Sequence, residues 1–360
     1  MARIITVYSR RRQNLRFVDM SFIRWLKISA ALARCGHQVD MATHEWRWLF
    51  TKTPVPLAPN LRKLPLSDVR WDDYDVVKTL FHSGFETLVR HGGGDHHLII
   101  SKLGSVVAPE DREGIFFYGD SRQRLYETQQ KIARISRYVT VLSPAAEHLW
   151  RDCFGPADNL LLVPGAVDAD LPPLGRDPYP GRESRRCLFA GNIYSRRVQP
   201  EANAVLVDKL NQLGRLLAAR GIRLYLLGPG EVRNLDRSSV TYLGTAEYGQ
   251  SWDYFHFAQV GVVVTGGRLM HNNESTKIYH YLRAGLPVVS EAGFPNDHVV
   301  HESGLGFVAE NGDLHSLAQR VDEAMERDWD RRAAIEYILR RHTWDVRAAV
   351  YDRVIRQHLG

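Results

Sequence analysis

The sequence contains no run approaching the roughly 18 consecutive apolar residues of a membrane-crossing helix. Its opening, Met-Ala-Arg-Ile-Ile-Thr-Val-Tyr-Ser-Arg, is too briefly apolar for a secretory signal. Cysteine is scarce. Cys35, Cys153 and Cys187 lie far apart in 360 residues and form neither a metal-binding spacing nor a disulfide framework. Buried free thiols in a reducing cytoplasm are the expectation. No Gly-X4-Gly-Lys-[Ser/Thr] occurs, which argues against a P-loop nucleotidase. His91-Gly92-Gly93-Gly94 has the composition of a hydrolase oxyanion loop, but the Gly-X-Ser-X-Gly elbow that should accompany it is missing. His91, Asp95, His96 and His97 match no established metal spacing and read as a polar loop.

What is present is the composition of a globular protein, 44% apolar and 24% charged, long enough for two α/β domains. The charge is unevenly placed. Residues 1–165 carry 23 Lys and Arg against 17 Asp and Glu, while the remainder carries 24 of each. The whole excess of +6 therefore sits in the first half, with Arg10, Arg11, Arg12, Arg16, Arg24, Lys27 and Arg34 near its start. A basic face of that kind suits anionic partners such as a membrane leaflet or a pyrophosphate-linked lipid.

Strand and helix patterns alternate along both halves. In the first, strands are expected over 4–8, 38–41, 75–80, 98–101, 114–118, 138–142 and 159–163, with helices over 122–136 and 144–153. The first loop, Ser9-Arg10-Arg11-Arg12-Gln13-Asn14, has no glycine, so the dinucleotide fingerprint is absent where it should stand. A proline-rich stretch over 166–185 reads as a linker. The second half is expected to place strands over 186–190, 223–227, 240–243, 261–265 and 286–290, with a helix over 200–219. Helices over 314–327, 330–340 and 344–358 close the chain. The expected division is an N-terminal Rossmann-like domain over 1–166, a C-terminal one over 167–342, and a last helix over 343–360 that returns to the first. Two such α/β domains imply a cleft between them.

The stretch from Asn272 to Glu291 organises the second half. Ser275 or its predecessor can cap a helix, and Gly285 with Pro287 can end it. Ile278, Tyr281, Leu282 and Gly285 share a face that would pack on a sheet, whereas Lys277 and His280 fall elsewhere. The helix start offers free N–H groups, two hydroxyls and a cation at a sheet edge, which suits a phosphate or carboxylate.

Five motifs then arrive in a recognisable order. They are Val163-Pro164-Gly165-Ala166-Val167-Asp168, Phe189-Ala190-Gly191-Asn192-Ile193, Tyr225-Leu226-Leu227-Gly228-Pro229-Gly230, Val240-Thr241-Tyr242-Leu243-Gly244, and the run from Ser275 to Val289. The second half thereby resembles the C-terminal domain of glycosyltransferases of the two-Rossmann GT-B architecture, of the group-1 and related bacterial kinds.

The resemblance implies a nucleotide-sugar donor, UDP-linked more often than not, bound by the second half. Gly191, Arg196, Arg197, Gly244, Glu274, Ser275, Thr276, Lys277, His280 and Tyr281 would form its site. Basic groups and a helix N-terminus would neutralise the leaving diphosphate, so no metal or other cofactor is expected. Group-1 enzymes often carry two glutamates eight positions apart; here those positions hold Asn272 and His280, with Glu274 near the first but out of register. The Ser-X-Lys-X-X-(polar)-Tyr arrangement is similar to that of bacterial exopolysaccharide glucuronosyltransferases, which lack the pair and invert.

Asp120, at a strand end beside Phe116-Phe117-Tyr118, is the candidate general base for an acceptor hydroxyl. Arg10, His44 and Lys102 are weaker acceptor-side candidates. The acceptor would be a glycan, a lipid-linked sugar or a small molecule; nucleic acid is not an expected partner. A nucleotide-sugar epimerase of the same fold, or a non-catalytic glycan- or nucleotide-binding relative, are the alternatives.

Overall fold

The computed structural model describes residues 1–9, 19–110, 121–181, 183–194, 196, 200–266 and 272–360. Two mainly parallel sheets organise them. The first contains β1 (Arg3–Val7), β2 (Gln38–Thr43), β3 (Val55–Ala58), β4 (Leu61–Pro65), β5 (Val76–Leu80), β6 (Ile99–Lys102), β7 (Tyr138–Val141) and β8 (Leu160–Leu162). Their order is β3-β4-β2-β1-β5-β6-β7-β8. Among the described residues only the β3–β4 pair, a short edge hairpin, runs antiparallel. The second sheet contains β9 (Arg186–Ala190), β10 (Arg223–Leu227), β11 (Val240–Gly244), β12 (Val260–Val263), β13 (Val288–Glu291) and β14 (Gly306–Ala309), ordered β11-β10-β9-β12-β13-β14.

Both sheets are thus wound outward in two directions from a first strand, β1 or β9. The order reverses between β1 and β5 in one, and between β9 and β12 in the other. Crevices for ligands open at the carboxyl ends of strands at such reversals. The strands read as apolar runs because helices cover both faces of each sheet. Val76–Leu80, for example, is buried at every position.

Helix α1 (Met20–Arg34) follows β1, and α2 (Phe81–Arg90), α3 (Arg122–Ile135) and α4 (Pro144–Phe154) complete the first half. The second half adds α5 (Pro200–Ala218), α6 (Ser251–Phe257), α7 (Thr276–Arg283), α8 (His298–Ser303), α9 (Leu314–Glu326) and α10 (Arg331–Arg341). The last helix, α11 (Trp344–Leu359), leaves the second half and packs on α1. Its Trp344, Ala348, Tyr351, Val354 and Ile355 join the core formed by Phe22, Trp25, Ile28 and Leu32. The crossing is pinned where the linker meets it: Val167 N–H donates to His342 O at 2.9 Å, and Trp344 N–H to Val167 O at 3.2 Å. Arg347 adds a bond from Nε to Gly165 O at 3.0 Å.

The two halves also meet directly. Lys27 on α1 donates to Asp168 at 2.7 Å. Ser143 Oγ, at the start of α4, donates to Asn272 O at 3.0 Å. The three thiols are unbridged. Among the described residues no helix is long and apolar enough to cross a membrane. The expected strand over 114–118 falls outside the described residues.

Candidate functional site

Helix α7 begins the site. Its C-terminal end is closed by a Schellman arrangement: Gly285, at φ +70°, donates to Leu282 O at 3.0 Å, and Leu286 N–H to Tyr281 O at 2.9 Å. Ile278, Tyr281 and Leu282 are fully buried against the sheet. At the other end Ser275 occupies the cap position, but its hydroxyl makes no capping bond. This corrects the expected cap. Asn296 holds the Ser275 backbone instead, accepting from its N–H at 2.9 Å and donating to its carbonyl at 2.9 Å. Ser275 Oγ is therefore buried without a hydrogen-bond partner among the described residues, as is the Oδ1 of Asn273.

These atoms line a cleft of about 670 Å3 at the β9–β12 reversal. Gly191 and Asn192 after β9, Gly228 and Pro229 after β10, and Thr245 after β11 form one wall. Asp19, Met20 and Ser21, at the start of α1, reach it from the first half. Two glycines are required by close approach. A Cβ on Gly191 would lie 2.4 Å from Lys277 Cε, and one on Gly228 would lie 2.1 Å from Gly191 O. Gly191 thus leaves room for the Lys277 side chain, whose Nζ lies 5.0 Å from the centre of the Phe189 ring. Burial pushes Lys277 down to about 8. No carboxylate pairs with it among the described residues. An uncompensated cation beside an unpartnered hydroxyl at a helix N-terminus is a receptor for an anion.

His280 stands one turn further along. Its Nδ1–H donates to Thr276 O at 2.8 Å, which leaves Nε2 as an acceptor, 3.4 Å from Tyr248 Oη. The ring stacks on Trp252 at 5.3 Å. Burial lowers its pKa, so it is neutral at neutral pH. Tyr281 lines the cleft but serves the scaffold: its hydroxyl accepts from Ala190 N–H at 2.7 Å and holds the end of β9. Thr276 lines the cleft as well.

Glu274 faces both ways. One carboxylate oxygen accepts from Gly165 N–H of the linker, the other from Tyr279 Oη at 2.8 Å. Burial raises its pKa, opposed by those bonds and by Arg24 and Arg347. Gly244, at φ +82°, ends β11 just before the cleft-lining Thr245 and accepts from Gly228 N–H at 2.8 Å.

Several expected residues stand elsewhere. Arg196 is exposed on a turn outside the cleft lining, its backbone N–H bonded to Glu231 at 3.2 Å. His44 is exposed beyond β2, its ring 5.7 Å from that of His91. Lys102 ends β6 in the interior, its Nζ without a hydrogen-bond partner among the described residues, lining a void of about 10 Å3 with Arg24, Trp344 and Arg347. The α11 helix covers it, which no local pattern around β6 discloses. Asp120, Arg197 and Arg10 lie outside the described residues. Sequence reasoning missed Asp19, Asn273, Tyr248, Trp252 and Asn296. Of these, only the apolar Trp252–Phe255 spacing offered a signal, and that spacing reads simply as core. Among the described residues no group of three or more His, Cys, Asp or Glu is placed to hold a metal ion.

No family model and no curated protein matches the sequence. The folded chain is nevertheless similar to solved structures over its full length. A sucrose-phosphate synthase from Thermosynechococcus elongatus superposes with a TM-score of 0.72 at 16% identity, covering 99% of each chain. The trehalose-6-phosphate synthase OtsA gives 0.70 at 11%, again covering 99% of each. HepE of Anabaena, solved in complex with UDP, gives 0.66 at 13%, covering 99% of this chain and 100% of that one. Two doubly wound sheets with the last helix returned to the first half make the GT-B architecture, and that is the fold of this chain.

Proposed function

We propose that the protein is a glycosyltransferase that takes a UDP-linked sugar and transfers the sugar to a hydroxyl of a glycan, a lipid-linked sugar or a small molecule. One observation carries the reading: at the start of α7 an ammonium and a buried hydroxyl, neither with a partner among the described residues, face the crevice of the second sheet. The UDP complex of HepE and the UDP-2-fluoroglucose complex of a trehalose-6-phosphate synthase support a nucleotide-sugar ligand for a cleft of this fold.

Residues 167–342 would hold the donor and residues 1–166 the acceptor. Lys277, Ser275 and the α7 N–H groups take the diphosphate, joined by Arg197 and, after movement of its turn, Arg196. His280 Nε2 accepts from a ribose hydroxyl. As the bond between sugar and diphosphate breaks, the leaving oxygen gains charge, and these donors stabilise it without a metal. The acceptor oxygen bonds to the anomeric carbon and gives up its proton to a carboxylate or to the departing phosphate. Asp120 remains the candidate base in an inverting reaction. Asp19 is a second, because it brings a carboxylate from the first half to the cleft wall.

The test is release of UDP from a panel of UDP-sugars, with and without a panel of acceptors. Acceptor-dependent release with a glycoside product supports the reading. An altered sugar nucleotide formed from donor alone would instead identify an epimerase. Binding without any turnover would identify a non-catalytic relative.

A further inference from the structure

Where α1, β6, the start of the linker and α11 meet, they enclose a void of about 10 Å3. Three of its walls carry a buried donor with no acceptor among the described residues: Arg24 Nε, Lys102 Nζ and Trp344 Nε1. None of the three residues is more than 9% exposed. A guanidinium nitrogen, an ammonium and an indole nitrogen can only donate. Orphaned buried donors are costly, and an occupant that satisfies these three has to be an acceptor.

The charge around the void has a single prevailing sign. Arg24, Lys102 and Arg347 line it, and Lys78 Nζ lies 4.2 Å from the centre of the Tyr351 ring, which forms another wall. The carboxylate that acts on Lys102 is that of Glu274, but its oxygens are engaged by Gly165 N–H and Tyr279 Oη rather than by a cation. Arg347 is met by neutral acceptors: Gly165 O at 3.0 Å, Arg341 O at 2.8 Å and His342 Nδ1 at 2.8 Å. Elsewhere in the interior, Asp40, Asp168, Arg186 and Glu291 each have an ion-pair partner, in Arg62, Lys27, Asp177 and Lys209. Four buried cations facing one engaged carboxylate break that pattern. Such an excess is expensive unless a counter-charge is supplied.

Size selects the counter-charge. About 10 Å3 is the room of a single water, which excludes phosphate, sulfate and any ligand bearing a carboxylate. A water accepts from two donors and brings no charge. A chloride accepts from all three and brings the missing sign, and the flexible stem of Lys102 can give way to its slightly larger radius. We infer that the void is a site for one chloride ion, held by Arg24, Lys102 and Trp344. The ion fastens α1 and β6 to α11 at the point where the chain crosses back to the first half. The site rests on no part of the donor reading, since it is measured without nucleotide.

The experiment is thermal denaturation of the full chain while sodium chloride replaces sodium gluconate at constant ionic strength, gluconate being too large for the void. The expected result is a saturable rise in melting temperature of about 2–4 °C. Lys102→Met should melt at least as high as the wild type in gluconate and show no rise with chloride. Trp344→Phe removes one donor and should need several-fold more chloride for the same rise. Crystals grown with bromide should show an anomalous scattering peak between Arg24, Lys102 and Trp344. Equal melting temperatures of the wild type in chloride and gluconate would overturn the proposal and leave a water as the occupant. An equal rise in Lys102→Met, or bromide peaks only at other places, would overturn it as well, even where the variants fail to fold.

Discussion

Asn272 pairs with the backbone of Val106 across the two halves of the protein. Its Oδ1 accepts from Val106 N–H at 3.1 Å and its Nδ2 donates to Val106 O at 3.1 Å. Both residues are buried. The resemblance to group-1 enzymes would put a glutamate at this position, and the pairing explains why an amide stands there. A carboxylate can accept from the peptide N–H but has nothing to give its carbonyl. Asn272→Asp should therefore lower stability by about 2–4 kcal/mol, through a buried charge facing an acceptor. Thermal denaturation would show it, and small-angle scattering should show a wider separation of the halves. An unchanged melting temperature would remove Asn272 from the contact.

Interior cations give a second prediction. Lys78 and Lys102 are buried, their Nζ atoms without a hydrogen-bond partner among the described residues, and Lys78 Nζ lies 4.2 Å from the centre of the Tyr351 ring. Burial pushes Lys78 down to about 7, and burial together with neighbouring cations holds Lys102 well below the usual lysine value. A lysine whose folded pKa is depressed binds fewer protons folded than unfolded. It therefore costs stability below its unfolded pKa, and the cost shrinks as pH rises from about 7 toward 10.5. Lys78→Met and Lys102→Met should each raise stability by roughly 1–3 kcal/mol at neutral pH and flatten its rise with pH. Denaturant titrations at several pH values would check both.

The pH dependence of ligand binding follows from Lys277. Burial brings it to about 8, and a bound diphosphate would keep it charged to higher pH. Affinity for UDP should be level from about pH 7 to 8 and then fall by up to about tenfold per pH unit. Lys277→Arg keeps its charge throughout and should abolish the slope. A slope unchanged in that variant would place the titrating group elsewhere.

The candidate base can be assigned by two substitutions. In an inverting transfer, Asp120→Asn or Asp19→Asn should lower kcat by about 100-fold or more with little change in UDP affinity, according to which carboxylate takes the proton. Ser275→Ala should instead weaken donor binding. Steady-state kinetics beside binding measurements separate the two outcomes. If neither aspartate matters, the departing phosphate takes the proton.

Much of the fold was legible because buried parallel strands read as apolar runs. Arg186–Ala190 and Arg223–Leu227 coincide with the expected segments. The β3–β4 hairpin was not, since Pro56 and Pro65 argue against strands that tertiary pairing nonetheless forms at a sheet edge. Strand β14 was missed for a related reason: it is short and opens on Gly306 at positive φ.

The anion-binding end of α7 could be read from Ser275, Thr276 and Lys277. What freed the Ser275 hydroxyl could not, because Asn296 is 21 residues away. Asn272 is 166 residues from its partner, so its register in the sequence showed a departure but not the contact that accounts for it. Lys102 looked like a cleft residue because its burial comes from a helix at the far end of the chain.

The central claim is that a nucleoside diphosphate binds where Lys277 and Ser275 face the cleft. Calorimetric titration of UDP into the wild type, Lys277→Ala and Ser275→Ala near neutral pH tests it most directly. The account predicts saturable binding by the wild type, weakened roughly 10- to 100-fold by Lys277→Ala and several-fold by Ser275→Ala, as expected for losing a charged and a neutral hydrogen bond. Absence of UDP and GDP binding by the wild type, or equal affinity in all three proteins, would contradict it.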